Sequence, residues 1–443
     1  MTEPVDVERA LGRPGTYEDA ILRIFTKRRQ RGQAFAEAGR GVSYFDTVAG
    51  RRGLARAIAR DVAAGRYRPE PVGLWSLENK GKIRDAHQAE FTDQVVGSAL
   101  YQLLSHNAAC YGMPGVYSYL PGVTNASAMR ALAQFVREHR ERAGHRGPPL
   151  YVLQSDFDQY GDTLPVGPDA PIWTVLREIA SLGRPSGQIS DDLWELITTL
   201  ARPVVRNEDG THFVRTHGVA MGTPLVPLLG NLAVLPMDRA VMGIDGVFYA
   251  RYNDDFVVAH SDLGALREAD TRIDALLPDL GVRRKIAKER RTALCGNGMD
   301  AAHDSRFRGA TRVDCLGLSV FFDGTMAVGP HRVRPLMRRI ARRIDAAAQA
   351  LVVLPVPDRA RHLVSAANVM LDADSPFAVA GLSALLESTT DRGTLKDLDH
   401  RIARKIVQAA TGRPGVRGFR ILPPRSLRGE MGLASLVALR NAR

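Results

Sequence analysis

Apolar residues recur at intervals of three and four through residues 17–25 and 54–64, which predicts two helices in the first 70 positions. A basic run, Lys27, Arg28, Arg29 and Arg31, falls between them. The pattern changes over residues 71–92. A proline-rich stretch leads into Val72-Gly73-Leu74-Trp75 and then Lys80-Gly81-Lys82-Ile83-Arg84, which predicts a strand, a glycine turn and a return strand. Helical spacing returns at 92–105, with Val95, Val96, Ala99, Leu100, Leu103 and Leu104 as an inner face, and again at 126–139. Pro148-Pro149 precedes a short apolar run, 150–153, that ends at Ser155-Asp156 and predicts a buried strand. Helices are predicted at 172–182 and 190–200, the second with Ser190 as N-cap. Two aromatic-rich apolar runs, 247–252 and 256–259, flank Asn253-Asp254-Asp255 and predict a hairpin. A helix at 263–277 and a strand at 315–322 follow. From residue 332 the spacing is helical, over 333–351, 360–371, 382–387 and 397–410. A Gly/Pro-containing link at 411–424 then leads to a last helix near 433–440, and no internal repeat or low-complexity tract is visible.

The composition is that of a globular protein: 443 residues, 45% apolar and 24% charged. It argues against a disordered, collagenous or disulfide-scaffold chain, and the length implies more than one core. No apolar run reaches the length of a membrane span, and the first ten residues are acidic and polar, so a cytoplasmic protein with no membrane partner is expected. Cys110, Cys295 and Cys315 are far apart and odd in number, which suggests neither disulfides nor a zinc site. The net charge of +12 is unevenly spread. Residues 331–443 carry 20 basic and 9 acidic side chains, whereas residues 1–330 carry 40 and 39. Eighteen of those 20 bases are Arg, whose fork suits phosphate, so a polyanion lying against this segment is the first functional hint. A solubilising helical surface is the alternative reading.

Three carboxylates stand in unusual settings. Asp156 ends an apolar strand, and Asp254 and Asp255 occupy the tip of an apolar hairpin. Neighbouring carboxylates beside buried strands repel one another, and a divalent cation relieves the repulsion. Mg²⁺ takes carboxylate oxygens together with substrate phosphates, and two such ions can clamp the attacking and leaving oxygens of a phosphoryl transfer.

Tyr252-Asn253-Asp254-Asp255 resembles the Y-x-D-D box of reverse transcriptases. Asp156-Phe157-Asp158-Gln159-Tyr160-Gly161-Asp162 resembles the first palm motif of that family, and the segment from Gly218 to Asn231 the second. Leu280-Gly281 with Lys288 is similar to the fourth motif, Cys315-Leu316-Gly317 to the primer-grip turn, and Lys80-Gly81-Lys82-Ile83-Arg84 with Asp93-Gln94-Val95-Val96 to the fingers motif and its following helix. Tyr117 to Gly122 looks like the family's Y-x-F-x-P-G. The motifs come in family order over roughly residues 60–325. Retron, zinc-nuclease, maturase and diversity-generating signatures are absent, which leaves a free-standing bacterial enzyme, of the kind associated with phage defence, as the subgroup by exclusion.

The resemblance implies an α+β right-hand polymerase. It would have an N-terminal helical extension at 1–60, mostly helical fingers at 61–150, an antiparallel-sheet palm at 151–325 with fingers elements at 165–215, and a basic helical thumb at 326–443. It implies that Asp156, the Phe157 carbonyl, Asp254 and Asp255 hold two Mg²⁺ ions, with Mn²⁺ as a substitute, Asp255 being the weaker or outer ligand. Lys82 and Arg84 would clamp a triphosphate and Tyr160, Gly161, Met221 and Gly222 would line the nucleotide. Lys288 would protonate the leaving pyrophosphate or be one more base in the run 283–291. Leu316 and Gly317 would lie against the primer, and Arg338, Arg339, Arg342 and Arg343 would track a duplex backbone. The expected activity is RNA-directed DNA synthesis. It would use dNTPs, a DNA or RNA primer and an RNA template such as a dedicated non-coding RNA, with a partner protein or second copy as further candidate partners.

Two departures from the family pattern stand out. Gly161 stands where an aromatic closes over the sugar and excludes a 2′-hydroxyl, so weak discrimination against ribonucleotides is expected unless another group fills the space. Ala220-Met221 replaces a Pro-Gln pair that contacts nucleotide and template. These departures support an alternative polymerase that is untemplated, protein-primed or ribonucleotide-incorporating. A non-catalytic nucleic-acid binder is the third reading.

Overall fold

The computed structural model describes residues 3–79, 81–144, 147–296 and 304–442, and the side chains of Leu77, Asn79, Lys82, Ile83 and Arg84 lie outside what is described. The chain forms two compact units with mixed α and β structure. One comprises Met1–Asn125 with Leu153–Arg290, the other Ala126–Val152 with Arg291–Arg443.

In the first unit the helices Pro14–Gln30 and Arg51–Ala63 pack together, and Pro14–Gln30 also packs on Phe91–Tyr111. The basic run predicted to lie between helices instead completes the first of them. Lys27, Arg28 and Arg29 form its last turn, where cations oppose the negative end of the helix dipole. The Phe91–Tyr111 helix runs beyond its predicted end because Asn107, fully buried, finds partners off the helix. Its amide oxygen accepts from Val5 N–H at 2.8 Å, and its amide nitrogen donates to the carbonyls of Val5 and Ile179. Gly112 at φ +85° ends the helix.

The predicted glycine turn joins Val72–Asn79 to Lys82–Gln88 in antiparallel register, Asn79 opposite Lys82. Val204–Arg206 adds parallel to the first strand, and His212–Val214 closes the four-stranded sheet. These last two strands are only three residues each and carry too little periodicity to be read from sequence. Ser190 caps Asp191–Ala201 as expected, its side chain accepting from Leu193 N–H.

In the second unit, Val333, Leu336, Ile340 and Ile344 form the buried stripe of Pro330–Ala350 and share a core with Leu363 and Val364 of Val356–Leu371 and Ile402, Ile406 and Val407 of Arg392–Thr411. The Gly/Pro-rich link predicted at 411–424 holds a further helix, Gly415–Ile421. Gly418 allows it: a Cβ there would come within 2.6 Å of Val407 Cγ1. The strand predicted at 315–322 is broken in two. Leu316 and Gly317, at φ +51° and +82°, turn the chain so that Cys315 pairs with Leu318. Positive φ at both central residues is the turn whose twist matches that of paired strands. Among the described residues no helix is long and apolar enough to cross a membrane.

Candidate active site

The strand Leu150–Asp156 is buried on both faces except at Gln154. Its apolar run therefore carries Asp156 to a position only 3% exposed. A carboxylate so placed must be compensated. One oxygen, Oδ2, accepts from the Lys288 ammonium. The other, Oδ1, is buried with no hydrogen-bond partner. Native structures rarely leave such an atom unpaired, and a missing ion or water is one of the few reasons they do.

The hairpin Phe248–Tyr252 and Asp255–His260 pairs Tyr252 with Asp255, leaving Asn253 and Asp254 as its two-residue loop. Asn253 sits at φ +61°, which Asn tolerates better than most side chains. Three further bonds fix it. Its N–H donates to Ser118 Oγ at 2.9 Å, its carbonyl accepts from Arg251 Nη1 at 3.1 Å, and its amide nitrogen donates to Asp254 Oδ1 at 2.9 Å. The Phe157 N–H donates to the Asp254 carbonyl at 3.1 Å, tying strand end to hairpin tip. On its other side Phe157 is bridged to Arg284 through bonds made by its neighbours, Asp158 N–H to the Arg283 carbonyl and Lys285 N–H to the Asp156 carbonyl. That ladder does not consume the Phe157 carbonyl.

The carboxylates feel one another. Burial, then the Asp156 charge, holds Asp254 above the usual carboxylate range. Asp255 keeps an exposed edge, yet desolvation, followed by Asp254 and Asp156, pushes it up to about 6, with Lys288 pulling the other way. The hydrogen bond to Asp156 raises Lys288 above its ordinary value. This is an anionic cluster short of positive charge. Among the described residues no three His, Cys, Asp or Glu side chains form a ready-made ligand cage. Mg²⁺ does not need one, because it is held through one or two carboxylates and completed by waters and substrate phosphates. The orphaned Asp156 Oδ1 and the raised pKa values of its neighbours fit a divalent cation.

Behind the hairpin lies a polar network whose centre, Arg251, Asp238 and Tyr249, falls outside the motifs. Arg251 and Asp238 are both fully buried and paired, with Nε at 2.8 Å from Oδ1 and Nη2 at 2.6 Å from Oδ2. Tyr249 Oη donates to the same carboxylate at 2.6 Å. Arg251 also donates to the Asn231 carbonyl and side-chain oxygen, and Ser118 Oγ donates to that oxygen at 2.9 Å. The readable signal was a single Arg inside an apolar strand, a position that requires a buried anion.

The first and second palm-like motifs meet. Val219 N–H donates to the Gly161 carbonyl and Gly218 N–H to the Leu164 carbonyl, both at 2.8 Å. A Cβ on Gly161 would come within 3.0 Å of Met221 Sδ, so the two departures from the family pattern touch each other: the thioether occupies the side of Gly161. Tyr160 is turned inward, its hydroxyl donating to the Gly230 carbonyl and its acidity suppressed by burial. Gly222, at φ +109°, lies against the Lys82–Gln88 strand, and a Cβ there would be 2.7 Å from the His87 carbonyl. His87 N–H donates to the Met221 carbonyl at 2.8 Å. Burial, then the Arg215 charge, lowers the pKa of the His87 ring, whose Nε2 lies 3.3 Å from Arg215 Nη2. Lys82 and Arg84 lie on the same strand, but their side chains fall outside the described residues.

The remaining predicted residues belong to the second unit. Gly317 sits at φ +82°, a conformation that favours glycine, with the Arg332 guanidinium beside it. Arg338, Arg339, Arg342 and Arg343 lie on the solvent side of Pro330–Ala350, away from its buried stripe. Arg339 and Arg343 are partly committed, donating to the carbonyls of Ala380 and Phe377 at 2.9 and 2.7 Å.

No protein-family model and no curated protein matches the chain. Among solved structures it is similar to apo telomerase from Candida tropicalis truncated from its C-terminal domain, at 13% identity, TM-score 0.43 and coverage of 58% of this chain and 56% of that one. It is similar to telomerase from Candida albicans in complex with a fragment of telomeric RNA, at 11% identity, TM-score 0.45 and coverage of 81% and 63%. It is also similar to apo telomerase from Candida tropicalis, at 10% identity, TM-score 0.46 and coverage of 82% and 70%. The chain thus spans less than two thirds of the length of the first two.

Proposed function

We propose that the chain is a nucleic-acid polymerase of the reverse-transcriptase kind, extending a primer with nucleoside triphosphates. One observation carries the reading. The Phe157 N–H ties the strand end after Asp156 to the carbonyl of Asp254 at the hairpin tip, and the buried Asp156 Oδ1 has no protein donor. Asp156, Asp254 and the Phe157 carbonyl would hold the metal, with Asp255 beside them. Bound there, Mg²⁺ supplies the charge neutralisation that phosphoryl transfer needs. The chain's own residues do the rest. The buried Arg251 network holds the Asn253–Asp254 loop in one geometry, so that little reorganisation is left for the reaction. Lys288, bonded to Asp156 Oδ2, would keep its proton until one is needed and give it to the leaving pyrophosphate. Lys82 and Arg84 are the proposed triphosphate clamp.

Met221 against Gly161 supports a second feature of the reading. The surface that would meet the sugar is a flexible thioether in place of an aromatic ring. Discrimination against ribonucleotides then rests on Met221. The thumb role of residues 326–443, the RNA template, phage defence and the right-hand arrangement belong to this same proposal. Primer extension tests it, with and without an RNA template, with dNTPs or NTPs, beside Asp254→Asn. Mg²⁺ binding by calorimetry gives an independent readout. Templated DNA product that disappears in the variant supports the reading. Template-free product favours the altered-rules polymerase, and no product with no Mg²⁺ binding overturns both.

A further inference from the structure

The near-neutral balance of residues 1–330 hides a second basic concentration. Between residues 23 and 60 lie ten Arg and Lys side chains against two carboxylates, Glu37 and Asp46. Both acids are engaged locally, Glu37 accepting from Gly41 N–H and Asp46 from Ser43. Arg40, Arg51 and Arg60 pair with Glu70, Glu18 and Asp61. Among the described residues, Arg23, Lys27, Arg29, Arg31, Arg52 and Arg56 pair with no carboxylate, and all six are exposed. A helix C-terminus accounts for one or two cations, not for six spread over two helices.

Two aromatic rings stand beside this charge. Phe35 is 77% exposed and Phe45 49%, with ring centroids 5.4 Å apart. They are held in place. Phe45 N–H donates to the Ala34 carbonyl, Tyr44 N–H to the Ala36 carbonyl, and Ser43 and Asp46 form a capping box that starts the helix bearing Phe45. Arg28 lies over the Tyr44 ring at 4.9 Å and donates to Gln33 Oε1, which ties the basic helix end to the ring-bearing segment. A shallow depression lined by Arg23 and Lys27, with the single carboxylate Asp19, runs along the same helix.

We infer that residues 23–60 form a binding surface for single-stranded nucleic acid, distinct from the carboxylate site. Fixed, exposed rings offer stacking to unpaired bases, and unpaired Arg and Lys follow the phosphates. A duplex has no free base faces for the rings. An anionic membrane is the weaker fit, because two Phe rings bury far less apolar surface than a single acyl chain, which itself anchors only marginally. Neither contact reads the sugar, so RNA and DNA strands share the site.

The test uses the full-length protein and a fluorescein-labelled U12 strand, with binding followed by anisotropy across a salt series. Phe35→Ala/Phe45→Ala should weaken U12 binding about tenfold or more, with the salt slope unchanged. Arg29→Gln/Arg31→Gln should flatten the slope by about 1.4, at roughly 0.7 for each phosphate no longer neutralised. A 12-base-pair duplex should bind the aromatic variant within about twofold of the wild type, since it offers no unpaired base to stack. Thermal unfolding controls for folding: Phe45 is half-buried, so the double variant should lose some stability, and binding is compared at a temperature where both proteins are folded. Wild-type U12 binding by both variants overturns the inference. So does an equal effect on U12 and duplex, or weakened binding to phosphatidylserine vesicles while U12 binding persists.

Discussion

Replacing Arg251 with Met separates what the buried network does for stability from what it does for the site. In the single variant Asp238 is left fully buried with its main counter-charge gone. Breaking a buried pair in this way costs about 3–5 kcal/mol. The carbonyls of Asn231 and Asn253 also lose a donor, at about 1 kcal/mol each. The sum is a large part of the 5–15 kcal/mol, roughly, that holds a domain together. Arg251→Met/Asp238→Leu/Tyr249→Phe removes the stranded charge and the hydroxyl that pointed at it. Well-packed apolar replacements of buried pairs are often neutral, so the triple variant should recover to within about 2 kcal/mol of the wild type. It does not restore the bond from position 251 to the Asn253 carbonyl. Urea unfolding followed by tryptophan fluorescence is the assay, since Trp75, Trp173 and Trp194 all lie in the unit that holds the network. Primer extension at fixed Mg²⁺ runs alongside. The expected result is a stable triple variant with extension reduced about tenfold, the effect of about 1.4 kcal/mol on the barrier. Wild-type extension by that variant would show the network to be scaffold only. A single variant that unfolds like the wild type would refute the buried-charge account itself.

Asp254→Asn should abolish extension and weaken Mg²⁺ binding by calorimetry without lowering the thermal midpoint, because it relieves repulsion with Asp156. Met221→Ala should raise NTP relative to dNTP incorporation in single-nucleotide assays, and an unchanged ratio would remove Met221 from sugar selection. Gly222→Ala should destabilise by several kcal/mol in denaturant unfolding, since it combines an unfavourable positive φ, at about 1–3 kcal/mol, with a 2.7 Å approach to the His87 carbonyl. His87 has its pKa lowered in the folded state, so the unfolded chain binds the proton more readily. Its contribution to stability is present above about pH 6.5 and disappears as pH falls through that value toward the lower folded one. His87→Gln should flatten this part of the pH–stability curve. Arg338→Gln/Arg342→Gln should reduce the salt slope of duplex binding by about 1.8, from two phosphate contacts, and an unchanged slope would make these bases a solvated surface.

Periodicity and turn chemistry determined much of the local structure, because they act between near neighbours. The Phe248–Tyr252 and Asp255–His260 hairpin, the Ser190 cap, the strand ending at Asp156 and the stripe from Val333 to Ile344 follow from spacings of two, three and four residues. The candidate carboxylates were legible for the same reason, as charges at the ends of apolar runs. Tertiary structure decided what those charges meet. Asp238 and Arg251 are 13 residues apart, and only folding made them one buried pair. Met221 lies 60 residues from Gly161, so no local pattern could show that one fills the space beside the other. The short strand Val204–Arg206 exists through pairing with the distant Val72–Asn79, which overrides weak propensity, while His212–Val214 folds back on it and Gly415–Ile421 packs on the preceding helix Arg392–Thr411. Charge followed the same division. The sum over residues 1–330 was fixed by composition, but which bases stayed unpaired beside Phe35 and Phe45 depended on where Glu18, Glu70 and Asp61 came to rest, since an ion pair is a matter of distance in space and not of position in the chain.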